Sequence, residues 1–432
     1  MKERRSLISS SARIQVPWIK VVIGNYTFGV FNKADSKTKD NDGFYKAAFN
    51  VQYPNFIQSL DITKINGRIN QYTLAISYPV RPNDDPNFFE KVFSSVSKTR
   101  KIIFSYGDMS MPSYIYKNEE AIITKISQNF NLQGSIINYT INAVSSASLD
   151  SAGSWTFPGG EVKPSDVIKR IFGNDKYGLK KLFPGMTAAN IDRLIAGDDK
   201  VVKVSSKQNI SALDYINYLV GCMIPASFTT GQKASSDIYA LTLHDDSMLN
   251  EDASLDMDIK GAYFKVTKVT YSTDRSDAYQ IDIGIGNTGT IVTNFSIVND
   301  ENYALLYDYA ESTSKNEYVY RVDNAGKINE VWSPAVTSKN TGFMTRAEDI
   351  VWWSKMTKYP IKASITLQGL LRPAMLMTYV RLNVIFPGGN KHIASGLYLV
   401  TEQKDRIDGS TGYKTTLQLT KISGSADSLI GK

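Results

Sequence analysis

The sequence predicts an α+β fold, mainly β, in which two antiparallel β-barrel domains flank a mixed α/β middle domain. Three observations lead there. Alternating apolar and polar residues mark strands over most of the first 148 residues and again from Ile259 onward. Short helical segments with start and stop signals follow one another between Pro164 and Cys222. A hairpin pattern at 121–144, AIITKISQNFNLQGSIINYTINAV, returns at 395–422 as SGLYLVTEQKDRIDGSTGYKTTLQLTKI. A chain of 432 residues is too long for one core, and roughly one domain per 150 residues suggests about three. The expected units are 1–148 (first β-barrel), 149–290 (mixed middle domain), 291–425 (second β-barrel) and 426–432 (C-terminal tail).

In the first unit, LDITKINGRINQYTLAISYPV (60–80) carries Asn66-Gly67, a pair that tolerates the positive φ of a two-residue type I′ turn. Beyond it Tyr72, Leu74, Ile76, Tyr78 and Val80 alternate with smaller residues, as a half-buried strand does. A helix is expected in DDPNFFEKVFSSVSKTR, with Asp85 as N-cap and Pro86 at its first position. Phe88, Phe89, Val92, Phe93 and Val96 give it one apolar face to seat on a barrel. In the hairpin that closes the unit, Ile137, Tyr139, Ile141 and Ala143 share a face.

The middle unit reads as helices at PSDVIKRIF, stopped by Gly173, at TAANIDRLIAG, from Thr187 to Gly197, and at SALDYINYLVGC, capped by Ser211 with Asp214 three residues on. Strands follow in AYFKVTKVTYST and AYQIDIGIGNTGTIVTNFSIV. The last unit opens on a helix expected in TRAEDIVWWSKMTKYP, with Thr345 and Glu348 as a capping box and Pro360 as its stop. Alternation then marks Ile361, Ala363, Ile365 and Leu367, next Val380, Leu382, Val384 and Phe386, and finally Tyr413, Thr415, Leu417 and Leu419. Both hairpin turns hold Gly-Ser, Gly134-Ser135 and Gly409-Ser410, and a tyrosine follows each, Tyr139 and Tyr413. The turn DGSTG requires positive φ at Gly409 or Gly412. From the shared order of helix, strands and terminal hairpin, the outer units are expected to be copies of one β-domain.

Composition is that of a globular protein, with 42% hydrophobic and 21% charged residues, so neither a low-complexity nor a collagen-like chain is expected. Tyrosine, at 25 copies, suits strands and interfaces. No run of 18 uninterrupted apolar residues occurs, and membrane insertion is not expected. MKERRSLISSSARIQV has the basic start of a signal peptide without the apolar run of about 7–15 residues, so assembly in a cytoplasm is expected. The formal charge is +7, but residues 163–207 hold ten Lys/Arg against five Asp, while 244–258 hold six acids and no Lys or Arg. Neighbouring patches of opposite sign suit a protein contact better than a nucleic acid, which needs an uninterrupted basic stripe.

Chemistry is sparse. GIGNTG (284–289) fits G-x-G-x-x-G, but a dinucleotide site needs a helix after it and TIVTNFSIV reads as a strand. His244 neighbours Asp245 and Asp246, yet successive strand residues point to opposite faces and no second histidine is near. His392 follows PGGNK in an expected loop as a solvated side chain, and the single Cys222 lies in an apolar run as a structural thiol. Asp85 and Glu348 are explained as caps, which leaves no carboxylate pair of evident catalytic spacing. The expectation is no catalytic, cofactor-binding or metal-binding residue, no cofactor and no enzyme activity. Two alternatives stay open: a tail-tip cell-wall hydrolase, and a glycan-binding surface β-protein using Trp155, Trp352 and Trp353.

The order of a β-domain, a mixed domain, DIGIGNTGTIVTNFSIV and a second β-domain ending in SGLYLVTEQKDRIDGSTGYKTTLQL resembles the baseplate hub proteins of tailed, contractile-type bacteriophages and related injection machines. Most of the likeness sits in Ser395-Gly396, Tyr398 and Val400 on one strand and Gly412-Tyr413, Thr415 and Leu417 on the next. The resemblance implies a homotrimer with two tail-tube-like β-barrel domains per subunit, adapting a six-fold tail tube to a three-fold spike. Its implied partners are the tail tube protein above, the central spike protein below and other baseplate proteins, with DNA passing through the channel without specific binding. The implied location is the virion, in the tail baseplate, after assembly in the host cytoplasm. Residues expected at the tube interface are Gly134, Ser135, Tyr139, Tyr398, Gly409, Ser410, Gly412 and Tyr413. The lysozyme or peptidase modules fused to some hubs are not expected after SGSADSLIGK.

Overall fold

The computed structural model describes residues 17–29, 52–54, 56–65, 69–108, 115–131, 133–145, 153–223, 225–226, 238–244, 259, 263–269, 278–284, 292–299, 319–322, 328–331, 361–368, 376, 378–409 and 411–421. The fold is mainly β, as the alternation predicts. In the first unit the strands are β1 (Pro17–Ile23), β2 (Tyr26–Gly29), β3 (Tyr53–Pro54), β4 (Ile57–Ile65), β5 (Gln71–Pro79), β6 (Lys101–Asp108), β7 (Ile115–Asn131) and β8 (Ile136–Ser145). They lie in the order β4-β5-β8-β7-β6-β1-β2-β3, antiparallel throughout except at β2–β3. Tyr72, Leu74, Ile76 and Tyr78 of β5 and Ile137, Tyr139, Ile141 and Ala143 of β8 are buried, and the residues between them are not. Each strand therefore sends one face to the core, as a period of two dictates.

Helix α1 (Phe88–Ser95) seals that face. Phe89 stacks on Phe28 at 5.4 Å and lies 4.8 Å from the Tyr139 ring, so one aromatic side chain ties the helix to two strands. One local expectation is corrected. The residue at the helix N-cap is Asn87, whose side chain makes no capping bond, while Asp85 Oδ1 accepts from the Asn87 amide and its other oxygen from Lys91. Asp85 thus makes an Asx turn ahead of the helix. Between β4 and β5, Leu60 faces Leu74 and Thr63 faces Gln71, a register with an odd number of intervening residues. Asn66 and Gly67, where the hairpin turn is expected, lie outside the described residues.

The middle unit has its own core. Its elements are β9 (Trp155–Phe157), β10 (Gly160–Val162), α2 (Pro164–Gly173), α3 (Leu179–Leu182), α4 (Ala188–Leu194), β11 (Val202–Val204), β12 (Lys207–Ile210), α5 (Ala212–Cys222), β13 (Ile238–His244) and β14 (Tyr263–Val269). Phe172, Phe183 and Phe264 meet at its centre, and Phe157 stacks on Tyr215 at 3.9 Å. Ser211 caps α5 by accepting from the Asp214 amide, as predicted. Thr187 begins α4 without a side-chain cap, and the helix stops at Leu194, short of Gly197. Cys222 is fully buried at the end of α5.

The last unit holds β15 (Tyr279–Gly284), β16 (Val292–Asn299), β17 (Val319–Val322), β18 (Ile328–Val331), β19 (Ile361–Gln368), β20 (Tyr379–Ile385), β21 (Gly396–Asp408) and β22 (Gly412–Lys421). β15 pairs with β20 in parallel, and Tyr279, Ile281 and Ile283 enter the core of this unit. β15 thus stands with the last unit, ahead of the expected boundary at residue 291. The helix expected at 345–360 lies outside the described residues, as do Trp352 and Trp353.

The two outer units were expected as separate barrels. Instead β4 and β21 pair edge to edge, Ile65 facing Glu402 through Ser59 facing Asp408. One 14-stranded sheet therefore runs through both units. Among the described residues no pairing closes either half on itself, because β4 gives its second edge to β21 and β1 gives its own to β2.

Candidate functional site

The junction between β4 and β21 is where the two halves become one surface, and its interior holds buried polar groups beside apolar ones. Lys64 of β4 lies 3.7 Å from Glu119 of β7, both about 1% exposed. Glu119 Oε2 also accepts from the hydroxyls of Tyr72 at 2.9 Å and Tyr106 at 3.0 Å. On β21, Asp405 accepts from the Thr415 hydroxyl at 2.7 Å and from the Gln403 amide at 3.0 Å. Burial pushes the Asp405 carboxyl up to about 6, against the lowering pull of Lys64 and the two hydrogen bonds. Strand alternation gives the reason these groups are inside: Leu60, Ile62 and Lys64 share one face of β4, and Gln403, Asp405 and Ile407 share the facing side of β21. Nothing in the sequence marks them, since a charged residue in an alternating strand reads as solvated.

The halves are related residue by residue. β1, β4, β5, β6, β7 and β8 correspond in chain order and in sheet order to β15, β16, β19, β20, β21 and β22. The equivalence extends to irregularities. Thr124 is the extra residue of a bulge between β7 and β8, and Thr401 is the extra residue between β21 and β22. Each threonine hydroxyl donates to a carbonyl of the partner strand, Asn142 at 3.1 Å and Gln418 at 3.2 Å. A second bulge recurs at Gln58 in β4 and Thr293 in β16, opposite Ile76 and Leu367. Bulges fix register and bend, so shared bulges are a stronger mark of duplication than alternation. The match is broken at one edge: β1 pairs with β6 antiparallel, β15 with β20 parallel.

This frame sorts the residues expected at the tube interface. Gly134 and Ser135 are exposed at the tip of the first hairpin, where Ser135 adopts φ 50° and its carbonyl accepts from the Val80 amide. Tyr139 is buried, and its hydroxyl donates to Glu90 of α1 at 3.3 Å. Tyr398 is buried and donates to the Ala394 carbonyl at 2.6 Å; burial raises its pKa. Tyr413, fully buried beside Ile407, enters the core of the first unit although it belongs to the last. These three rings are packing residues. Gly412 takes φ 78°, as the turn requires, whereas Gly409 does not and its amide donates to the Gln58 carbonyl. Ser410 lies outside the described residues. By register Tyr413 matches Ile137 and Tyr139 matches Thr415, so the two tyrosines after the turns are not equivalent.

No family model matches the chain, and no curated protein does. Similar solved structures include the tail protein from Neisseria meningitidis MC58, at 9% identity over 94% of this chain and 96% of that one, with a TM-score of 0.45. A 43 kDa tail protein of prophage MuSo2 from Shewanella oneidensis gives 9% identity, 94% and 98% coverage and a TM-score of 0.45. The E. coli c3393 protein, described as a component of the type VI secretion system, gives 8%, 88% and 77%, and 0.40.

The remaining candidates show no assembled chemistry. His392 is half-buried, against the expectation of a solvated ring: its Nδ1 accepts from the Ala394 amide at 3.1 Å. His244 ends β13 opposite Tyr263, and Asp245 and Asp246 lie outside the described residues. Among the described residues no group of three His, Cys, Asp or Glu is placed to hold a metal. Of GIGNTG only Gly284 is described, at the end of β15, and the next described element is strand β16. Trp155 packs against Tyr177 at 5.1 Å with Lys176 over its ring. The acids of the basic stretch 163–207 are partly neutralised in place, Asp192 by Lys169 and Asp175 by Lys180; the acidic stretch beyond His244 lies outside the described residues. No helix of the described residues is long and apolar enough to cross a membrane.

Proposed function

We propose that the protein is a structural hub subunit of a phage tail baseplate or a related injection machine. In this reading it is a homotrimer joining a six-fold tail tube to a three-fold central spike, with other baseplate proteins around it and DNA passing through its centre unbound. The observation that carries the proposal is the register-level duplication joined through β4 and β21. One chain places two equivalent six-strand units side by side in a continuous sheet. Three such chains present six similar units to one neighbour while keeping three-fold symmetry toward another. Closed rings are also the ordinary way to cover strand edges. The tips of the β7–β8 and β21–β22 hairpins are the proposed tube-facing surface, and the middle unit faces away from the tube. The reading is non-enzymatic and places the protein in the virion.

Counting copies tests it. Quantitative mass spectrometry of purified tails should return three copies for every six of the tube protein in one ring. Six copies, or loss of the protein from particles stripped of their outer baseplate, contradicts the proposal.

A further inference from the structure

The bulge-anchored equivalence makes a demand that one chain cannot meet. β21 has two neighbours on the side away from β22: β20 along Gly396–Leu399 and β4 along Glu402–Asp408. Its counterpart β7 has β6 along Ile115–Ile122, and among the described residues no strand pairs with the same side of 124–131. The counterpart of β4 is β16, which among the described residues pairs only with β19. The fold thus contains one filled junction and, a repeat away, its two separated halves.

We infer that β16 of one chain adds antiparallel to the 124–131 edge of β7 in a second copy, repeating the β4–β21 junction between subunits. The internal junction fixes the register. Leu60 faces Ile407 and Thr63 faces Lys404 within the chain; transferred through the bulges, Phe295 faces Phe130 and Val298 faces Ser127 between chains.

Two independent features fit this occupant. Four large apolar residues stand out as exposed among the described residues, and two lie on these edges: Phe130 at 56% and Val298 at 58%. At the internal junction the counterparts of Phe130 and its partner, Ile407 and Leu60, are no more than 1% exposed. In addition, a groove of about 390 Å³ runs beside the open edge between α1 and β7, lined by Phe93, Val96, Arg100, Ile123 and Ile126. Ile126, Gln128 and Phe130 face the same side as Ile141, Tyr139 and Ile137, so side chains of an added strand that point inward enter that groove. The contact is head-to-tail, which closes into a ring when the rotation allows. The number of copies in that ring rests on the hub reading; the strand pairing does not.

The test mixes full-length chains carrying Ser127→Cys with chains carrying Val298→Cys, and adds a mild oxidant at high protein concentration. Cross-strand neighbours in register come within disulfide reach. Thr63→Cys with Lys404→Cys, a link inside one chain, is the positive control, and Ser127→Cys mixed with Ser296→Cys is the off-register control. The expected result is an interchain link between positions 127 and 298 that the off-register mixture lacks. Phe130→Lys, at an exposed site, should weaken association by about tenfold or more with unchanged melting. A sample that stays monomeric, or Ser127→Cys chains that link only to each other, overturns the inference. Rings of three copies with no in-register link overturn it and leave the hub reading standing. In-register links in rings of any other copy number keep it and remove the hub reading.

Discussion

Asp405 sits where the two halves meet, and its protonation should tune their stability. Burial lifts its carboxyl from an ordinary value near 3.8 to about 6. The sign follows from linkage: the folded state holds the proton more tightly than the unfolded state. The stabilisation is therefore full below about pH 4 and is lost as pH rises through about 6. Two pK units at 1.36 kcal/mol each give a loss of about 3 kcal/mol across that window. Asparagine keeps the shape without the titration. Its carbonyl accepts from Thr415, and a flipped Gln403 amide accepts from its NH2 group, preserving both bonds now made at 2.7 and 3.0 Å. Denaturant unfolding of wild type and Asp405→Asn at pH 4 and pH 7.5, followed by far-UV dichroism, gives the difference directly. The variant should match wild type at pH 4 and exceed it by about 2–3 kcal/mol at pH 7.5. Equal slopes with pH, or a variant less stable at pH 7.5, would show that Asp405 is held as a well-solvated or strongly paired carboxylate and refute the reasoning.

Removing Glu119 should cost far more than altering it: Glu119→Ala strips the carboxylate from buried Lys64 and from two tyrosine hydroxyls, a loss of roughly 3–5 kcal/mol in the same unfolding assay. A cost under about 1 kcal/mol would mean that the pair is hydrated. In the terminal turn, Gly412→Val places a β-branched residue at φ 78° and should lose roughly 1–3 kcal/mol, whereas Gly409→Val, with open space where its Cβ would go, should melt within a degree or two of wild type. A reversed order of the two melting temperatures would contradict the turn geometry.

The strands were legible because each has one buried face: Tyr72 to Tyr78, Ile137 to Ala143 and Tyr413 to Leu419 alternate as the core demands. The duplication was legible too, though partly for a reason the structure does not share. The order of helix and strands suggested it, but α1 falls between β5 and β6, and the stretch 345–360 falls between β16 and β19, which matches the β4–β5 gap. The better signal is a phase slip. The side facing the core changes from odd residues (Ala121, Ile123) to even ones (Ile126) at Thr124 in β7, and from even residues (Tyr398, Val400) to odd ones (Gln403, Asp405, Ile407) at Thr401 in β21, where a bulge inserts one residue. In β7 the slip stands in the sequence, where Ala121 and Ile123 give way to Ile126 and Phe130; in β21 the apolar run Leu397-Tyr398-Leu399-Val400 hides it. β15 was assigned to the wrong side of a boundary because its partner β20 lies about a hundred residues onward, and local pattern carries no information on such pairing. The buried trio Lys64, Glu119 and Asp405 was invisible for a related reason: Lys64 meets Glu119 only when β4 comes to β7, Glu119 gains Tyr72 and Tyr106 from β5 and β6, and Asp405 gains Thr415 from β22.

An electron-microscopic reconstruction of the tail terminus, computed without imposed symmetry, tests the central claim most directly. Three chains should surround the axis, their six strand units stacked under the last tube ring and their middle units directed toward the spike side. Six chains in that ring, or chains standing on the outer baseplate away from the axis, would contradict the account.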